Sequence, residues 1–170
     1  MFRERLAPIR VLSPTYPAHR PKAAVDFLLG WMSAEAADSG ISLIGSSMGG
    51  FYAQYLARRF PVRHVYMINP ALKPWDLLPE YLGPQHNEAT GERYELRQED
   101  ADATLPYGIE ELCDGIPTTL FLDRADQIID YRIAETMYRD CGRLEIYPGG
   151  SHLFRHMDEA VELIRRDYSL

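Results

Sequence analysis

Between Ile41 and Leu56 the hydrophobic period of the chain changes abruptly, and that junction limits the possible fold more than any other feature. Ile41–Ile44 is apolar except for the small Ser42, as in a short strand buried on both faces of a parallel sheet. Beyond Gly45–Gly50, the residues Met48, Phe51, Tyr52, Tyr55 and Leu56 recur at helical spacing on one side. Arg58 and Arg59 near the end of that helix complement its dipole. A buried strand that turns sharply into a helix is half of a βαβ unit. The remaining chain should therefore alternate strands and helices around a parallel sheet.

The pattern recurs on either side of the junction. Ile9–Leu12 reads as a strand, closed by Ser13-Pro14-Thr15-Tyr16-Pro17, where two prolines remove ladder donors. Pro21 opens a helix whose apolar stripe is Ala24, Phe27, Leu28, Trp31 and Met32, with its end placed at Ser39-Gly40. Val62–Ile68 is the next strand. Thr118–Leu122 and Leu144–Tyr147 are two more, separated by a helix over Arg132–Tyr138. The last helix, about Arg155–Tyr168, carries Met157, Ala160, Val161, Ile164 and Tyr168 on its inner face. Five strands and four helices in alternation predict a three-layer α/β/α sandwich with a mostly parallel sheet, residues 1–170 forming a single domain. The proline-rich stretch at about 70–106 interrupts the alternation and reads as a non-core excursion. It is partly helical at Trp75–Tyr81 and hairpin-like over Asn87–Glu99 around Thr90-Gly91.

Composition narrows the partners. With 18 Lys+Arg against 25 Asp+Glu the net charge is −7, which argues against a nucleic-acid or anionic-membrane surface. The longest apolar stretch, around Phe27–Met32, is far shorter than a membrane span. Met1–Pro8 has no secretory core, and Cys113 and Cys141 form neither a C-x-x-C pair nor a metal cluster. Both cysteines are expected as reduced thiols, and the protein as cytoplasmic, free of metal and organic cofactor.

The chemistry lies in Gly45-Ser46-Ser47-Met48-Gly49, a G-x-S-x-G sequence between a strand and a helix. In that setting the serine sits on a strained turn that lifts its Oγ clear of the sheet, and the flanking glycines avoid backbone collisions. The N–H of Met48 is a candidate oxyanion donor at the positive end of the helix. A serine hydroxyl is a weak nucleophile until a base takes its proton, so a histidine and a carboxylate must follow in the chain. His152 is the one histidine in a Gly-rich loop after a late strand, behind Pro148-Gly149-Gly150-Ser151. His19, His64, His86 and His156 read as structural or solvated. For the acid, Asp123, Asp126 and Asp130 all follow the Thr118–Leu122 strand. Asp126 is favoured by its loop position, whereas Asp123 would close the strand in a turn and Asp130 would cap the next helix. Tyr52 and Tyr55 read as core or interface, and Glu99, Asp100 and Asp102 as a solvated surface.

Several blocks taken together resemble the small YqiA-like esterases of bacteria, members of the α/β-hydrolase superfamily. They are Leu43–Ala53, Asn69–Pro74, Tyr81-Leu82-Gly83, Asp126–Tyr131 and Gly149–His152. The resemblance spans nearly the whole chain. It implies hydrolysis of a small-molecule ester or thioester through Ser47, Asp126 and His152, with Asn69–Pro74 and the following excursion covering the cleft. Such relatives begin with an apolar strand and a His-Gly-Phe loop that supplies a second oxyanion N–H. Neither precedes Ile9–Leu12 here, so the resemblance implies an N-terminally truncated version of the fold. The same departure leaves a second reading open, a non-catalytic domain that binds an acyl ligand or a protein partner.

Overall fold

The computed structural model describes residues 2–35, 40–87 and 90–170. Its main sheet has four parallel strands: β1 (Ser42–Ser46), β2 (His64–Ile68), β5 (Thr118–Asp123) and β6 (Arg143–Tyr147), in the order β1-β2-β5-β6. Between β2 and β5 the chain leaves the sheet through α4 (Pro74–Leu77), a 3-10 turn at Leu78–Tyr81, the antiparallel hairpin of β3 (Gly83–His86) and β4 (Arg93–Leu96), and α5 (Gln98–Asp102). It then returns so that β5 pairs directly with β2. The other helices are α1 (Phe2–Arg5), α2 (Pro21–Glu35), α3 (Met48–Ala57), α6 (Tyr131–Tyr138) and α7 (Met157–Asp167). The expected helix end at Ser39-Gly40 lies partly outside the described residues.

Alternation along the central strands explains the layers. Val65 and Met67 of β2, with Leu120 and Leu122 of β5, point into a core shared with Ala53, Ala57, Ala134 and Tyr138 of α3 and α6. The intervening Tyr66, Ile68 and Phe121 face the opposite way, against Ala160, Val161 and Ile164 of α7. A third cluster joins α2 to α3 through Leu28, Met32, Phe51 and Tyr52. Tyr52 and Tyr55 are thus core residues.

Two expectations are corrected. Ile9–Leu12 forms no strand, and β1 is the edge of a four-stranded sheet. Ile9 and Val11 do pack on the α7 side of the core, so their apolar character is used without a ladder. Arg165 of α7 holds this region by donating to the backbone oxygens of Arg5 and Ala7, at 3.1 and 2.9 Å. Beside the free edge of β1 lies a cavity of about 910 Å³, lined by Leu6, Ile9, Val11, Leu28, Met32 and Ile44 among others.

The second correction concerns the cysteines. Cys113 and Cys141 are joined as a disulfide, with Cα atoms 6.1 Å apart, and are not reduced thiols. Cys113 precedes β5 and Cys141 follows α6, and α6 packs back against β5, so the two meet although 28 positions separate them. The disulfide removes the cysteine argument for a reducing compartment. No described helix is long and apolar enough to cross a membrane.

Candidate active site

The strands of a parallel sheet end at a common edge, and here register brings Ser46, Ile68, Phe121 and Tyr147 close to that edge. The residues that follow them make the site. Ser47 has φ 52° and ψ −122°, a left-handed geometry that a non-glycine residue rarely adopts. Backbone hydrogen bonds hold that turn, the weakest from Phe51 N to Ser47 O at 3.4 Å. Ser47 N–H donates to Ile68 O at 3.0 Å, and Ser47 O accepts from Gly50 N at 3.0 Å and Ala71 N at 3.1 Å. A Cβ on Gly45 would stand 2.2 Å from Gly49 O, so only glycine fits there. At the far side the demanding position is Gly50, where a Cβ would meet Pro70 at 2.7 Å. Gly49 itself has ordinary clearance, 3.6 Å from Tyr16 Oη.

The sequence-predicted residues converge. His152 Nε2 lies 3.2 Å from Ser47 Oγ, and His152 Nδ1 lies 2.9 and 3.1 Å from the two carboxylate oxygens of Asp126. A carboxylate only accepts, so Nδ1 carries the hydrogen and Nε2 is left to accept from the serine hydroxyl. The Asp126 side chain is 1% exposed. Burial pushes its pKa up. The hydrogen bond from His152 and those from the Ile129 and Ile128 amides outweigh that effect, and the pKa ends below the usual carboxylate range. Asp126 is therefore charged at neutral pH.

The other acids sort as the sequence suggests, with one addition. Asp130 caps α6 by accepting from Arg132 N. Asp123 closes the strand, its carbonyl accepting from Asp126 N at 3.2 Å, but its carboxylate is wholly buried and does more than end a strand. Oδ2 accepts from Ser151 N and Arg155 N at 3.0 and 2.8 Å, and Oδ1 lies 2.5 Å from His156 Nδ1. Asn69, also buried and at φ 40°, donates from Nδ2 to Ser151 O and His152 O while its Oδ1 accepts from Asp123 N. The family resemblance implies for Asn69 only the start of a cleft-covering segment, and the sequence reads His156 as structural or solvated. Asn69 directly follows β2 and Asp123 ends the adjacent β5, a neighbourhood that only strand pairing reveals.

The remaining histidines stand apart from Ser47. His64 lies 2.8 Å from Thr119 Oγ1, His19 stacks on Tyr94 at 3.9 Å, and His86 ends β3. Met48 opens α3, where helix geometry leaves its N–H without an intrahelical acceptor. The same residue lines a cavity of about 120 Å³ bounded by Ala18, His19, Leu78, Tyr94 and Leu96.

Solved structures share this arrangement of strands and helices. A designated hydrolase from Agrobacterium vitis S4 is 22% identical with a TM-score of 0.67, over 86% of this chain and 67% of that one. Est1E from Butyrivibrio proteoclasticus is 15% identical with a TM-score of 0.62, over 89% and 70%. Alpha/beta hydrolase domain-containing protein 10 from mouse is 16% identical with a TM-score of 0.59, over 88% and 68%. The chain thus spans about two thirds of the length of these structures, and the likeness shows an α/β-hydrolase fold. Residues 3–166 match the uncharacterised protein family UPF0227, and the chain belongs to that family.

Proposed function

We propose that the protein is a serine hydrolase of small carboxylic esters or thioesters, acting through an acyl-enzyme. One observation carries the proposal: the unbroken run of contacts from buried Asp126 through His152 to Ser47. In this reading His152 Nε2 takes the hydroxyl proton as Ser47 Oγ attacks the acyl carbonyl. Asp126 holds the tautomer and stabilises the imidazolium without accepting the proton. The Met48 N–H faces the developing oxyanion, aided by the positive end of α3. The imidazolium then protonates the departing alkoxide or thiolate. Water, deprotonated by the same nitrogen, attacks the acyl-serine and releases the acid.

Esterases among proteins of this fold are consistent with the same chemistry, Est1E and an esterase domain from Rhodothermus marinus among them. A binding-only domain gives no reason for a buried carboxylate to hold an imidazole against a hydroxyl on a strained turn. The test is hydrolysis of p-nitrophenyl acetate by the wild-type chain and by Ser47→Ala. Wild-type turnover with loss of at least about 10³-fold in the variant is expected. Equal rates in the two would remove the proposal.

A further inference from the structure

His152 hangs from a loop that its own sequence cannot hold still. Gly149 and Gly150 both have positive φ, 70° and 83°, and two adjacent glycines leave a backbone with more freedom than any other pair. Yet His152 Nε2 must stay within hydrogen-bond reach of Ser47 Oγ. From the side, Gly149 O accepts from Ala125 N at 2.8 Å and His152 N donates to Gln127 Oε1 at 3.3 Å; the larger set of contacts lies beneath the loop. Asp123 and Asn69, 0% and 2% exposed at the ends of neighbouring central strands, hold four backbone groups that bracket the histidine. Asp123 accepts from Ser151 N and Arg155 N, and Asn69 donates to Ser151 O and His152 O. The two side chains are themselves linked, because Asn69 Oδ1 accepts from Asp123 N at 2.9 Å.

His156 completes the arrangement. Its Nδ1 meets the second oxygen of Asp123, and its ring stacks on Tyr147 of β6 with centroids 4.6 Å apart and planes 10° apart. A Cβ on Gly150 would stand 2.0 Å from the Asp123 carboxyl group, so the glycine that loosens the loop also lets the loop lie directly on the carboxylate.

We propose that Asn69 and Asp123 form a polar clamp that positions His152, making them positioning residues for the hydrolysis argued above, on which this inference rests for its kinetic consequence. The clamp reads polarity as well as shape. Asp123→Asn keeps an oxygen for the two amides and turns its NH2 toward His156, whose Nδ1 can accept as the other tautomer. Asn69→Asp has the same size but sets an acceptor against two carbonyl oxygens, which repel it.

The experiment measures four things on the wild type, Asp123→Ala, Asp123→Asn and Asn69→Asp. They are the cooperative melt, fluorophosphonate labelling to count competent Ser47, kcat and KM per labelled site, and the low-field NMR signal of the His152 Nδ1 hydrogen. Asp123→Ala and Asn69→Asp should melt cooperatively, lose the low-field signal, and drop kcat by roughly 10²-fold with KM little changed. Asp123→Asn should keep the signal and most of the rate. The NMR arm is independent of turnover. If the signal responds as stated while the wild type neither labels nor hydrolyses ester, the clamp stands and the hydrolase reading falls. If Asp123→Ala and Asn69→Asp stay folded and keep both the signal and the wild-type rate per site, the clamp is refuted. Where Asp123→Ala does not fold, the opposed behaviour of the two isosteric variants decides the matter alone.

Discussion

Asp126 and Asp123 are the same side chain three positions apart, and the fold gives them different work. Asp126 lies on the loop, where its carboxylate turns up to the imidazole and takes two amides, from Ile128 and Ile129, at 2.8 and 3.0 Å. Asp123 ends β5, where its carboxylate turns down and meets only the loop backbone and His156. Asp126→Asn should therefore leave the fold intact, since an amide oxygen can still accept from Ile128 and Ile129. Its rate should fall by roughly 10⁴-fold, because the amide nitrogen stabilises the wrong tautomer of His152. The check is kcat at neutral pH beside an unchanged melting curve. Loop position in the sequence separates the two acids. The part played by Asn69 is not readable that way, because it depends on which strands become neighbours.

The elements were legible where local period and local turn chemistry agree. The two sides of the βα junction at Gly45–Gly50 each keep their own period, the strands of the second half are short apolar runs between turn residues, and α7 keeps helical spacing over its whole length. Ile9–Leu12 was not, since an apolar stretch between turn residues looks the same whether its backbone joins a ladder or merely packs side chains. The disulfide was missed for a related reason. Spacing along the chain says little about two loops that meet only after α6 packs against β5. That bond closes a loop across two elements of the main core, so breaking it should lower the unfolding free energy by roughly 2–4 kcal/mol. Cys141→Ser, compared with the wild type by denaturant titration with and without reductant, gives the value. The expected pattern is a wild type that reductant weakens and a variant that reductant does not affect.

At the scale of the whole molecule, buried phenols and the Asp126 carboxylate set opposite edges to the pH range of stability. Tyr52, Tyr66 and Tyr138 are almost wholly buried, and each phenol donates a hydrogen bond, to Ala18 O, Asp167 Oδ2 and Gln54 Oε1 respectively. Burial raises the pKa of all three, and that of Tyr147 is pushed up to about 12. A folded pKa above the unfolded one gives a contribution that is complete below about 10 and is lost as pH climbs through the folded value. Asp126 runs the other way: its depressed pKa contributes above the unfolded carboxylate value, and the contribution fades as pH falls through the folded one. Melting temperature followed against pH should thus fall at both ends, and the alkaline fall should coincide with the part of the tyrosinate absorbance that is lost in Tyr52→Phe, Tyr66→Phe and Tyr138→Phe. Ionisation of Tyr52, Tyr66 or Tyr138 in the still-folded chain would contradict the burial of these rings.

In the function proposed here, the four-stranded sheet, its turn at Ser47 and the loop carrying His152 serve a single chemical event, transfer of an acyl group to one hydroxyl. That event can be seen directly by mixing the chain with p-nitrophenyl acetate, quenching with acid during turnover and locating acetyl groups by peptide mass spectrometry. Acetyl on the peptide at Ser47, absent from His152→Ala treated identically, is the predicted result. Continued ester hydrolysis with Ser47 never acetylated would contradict it.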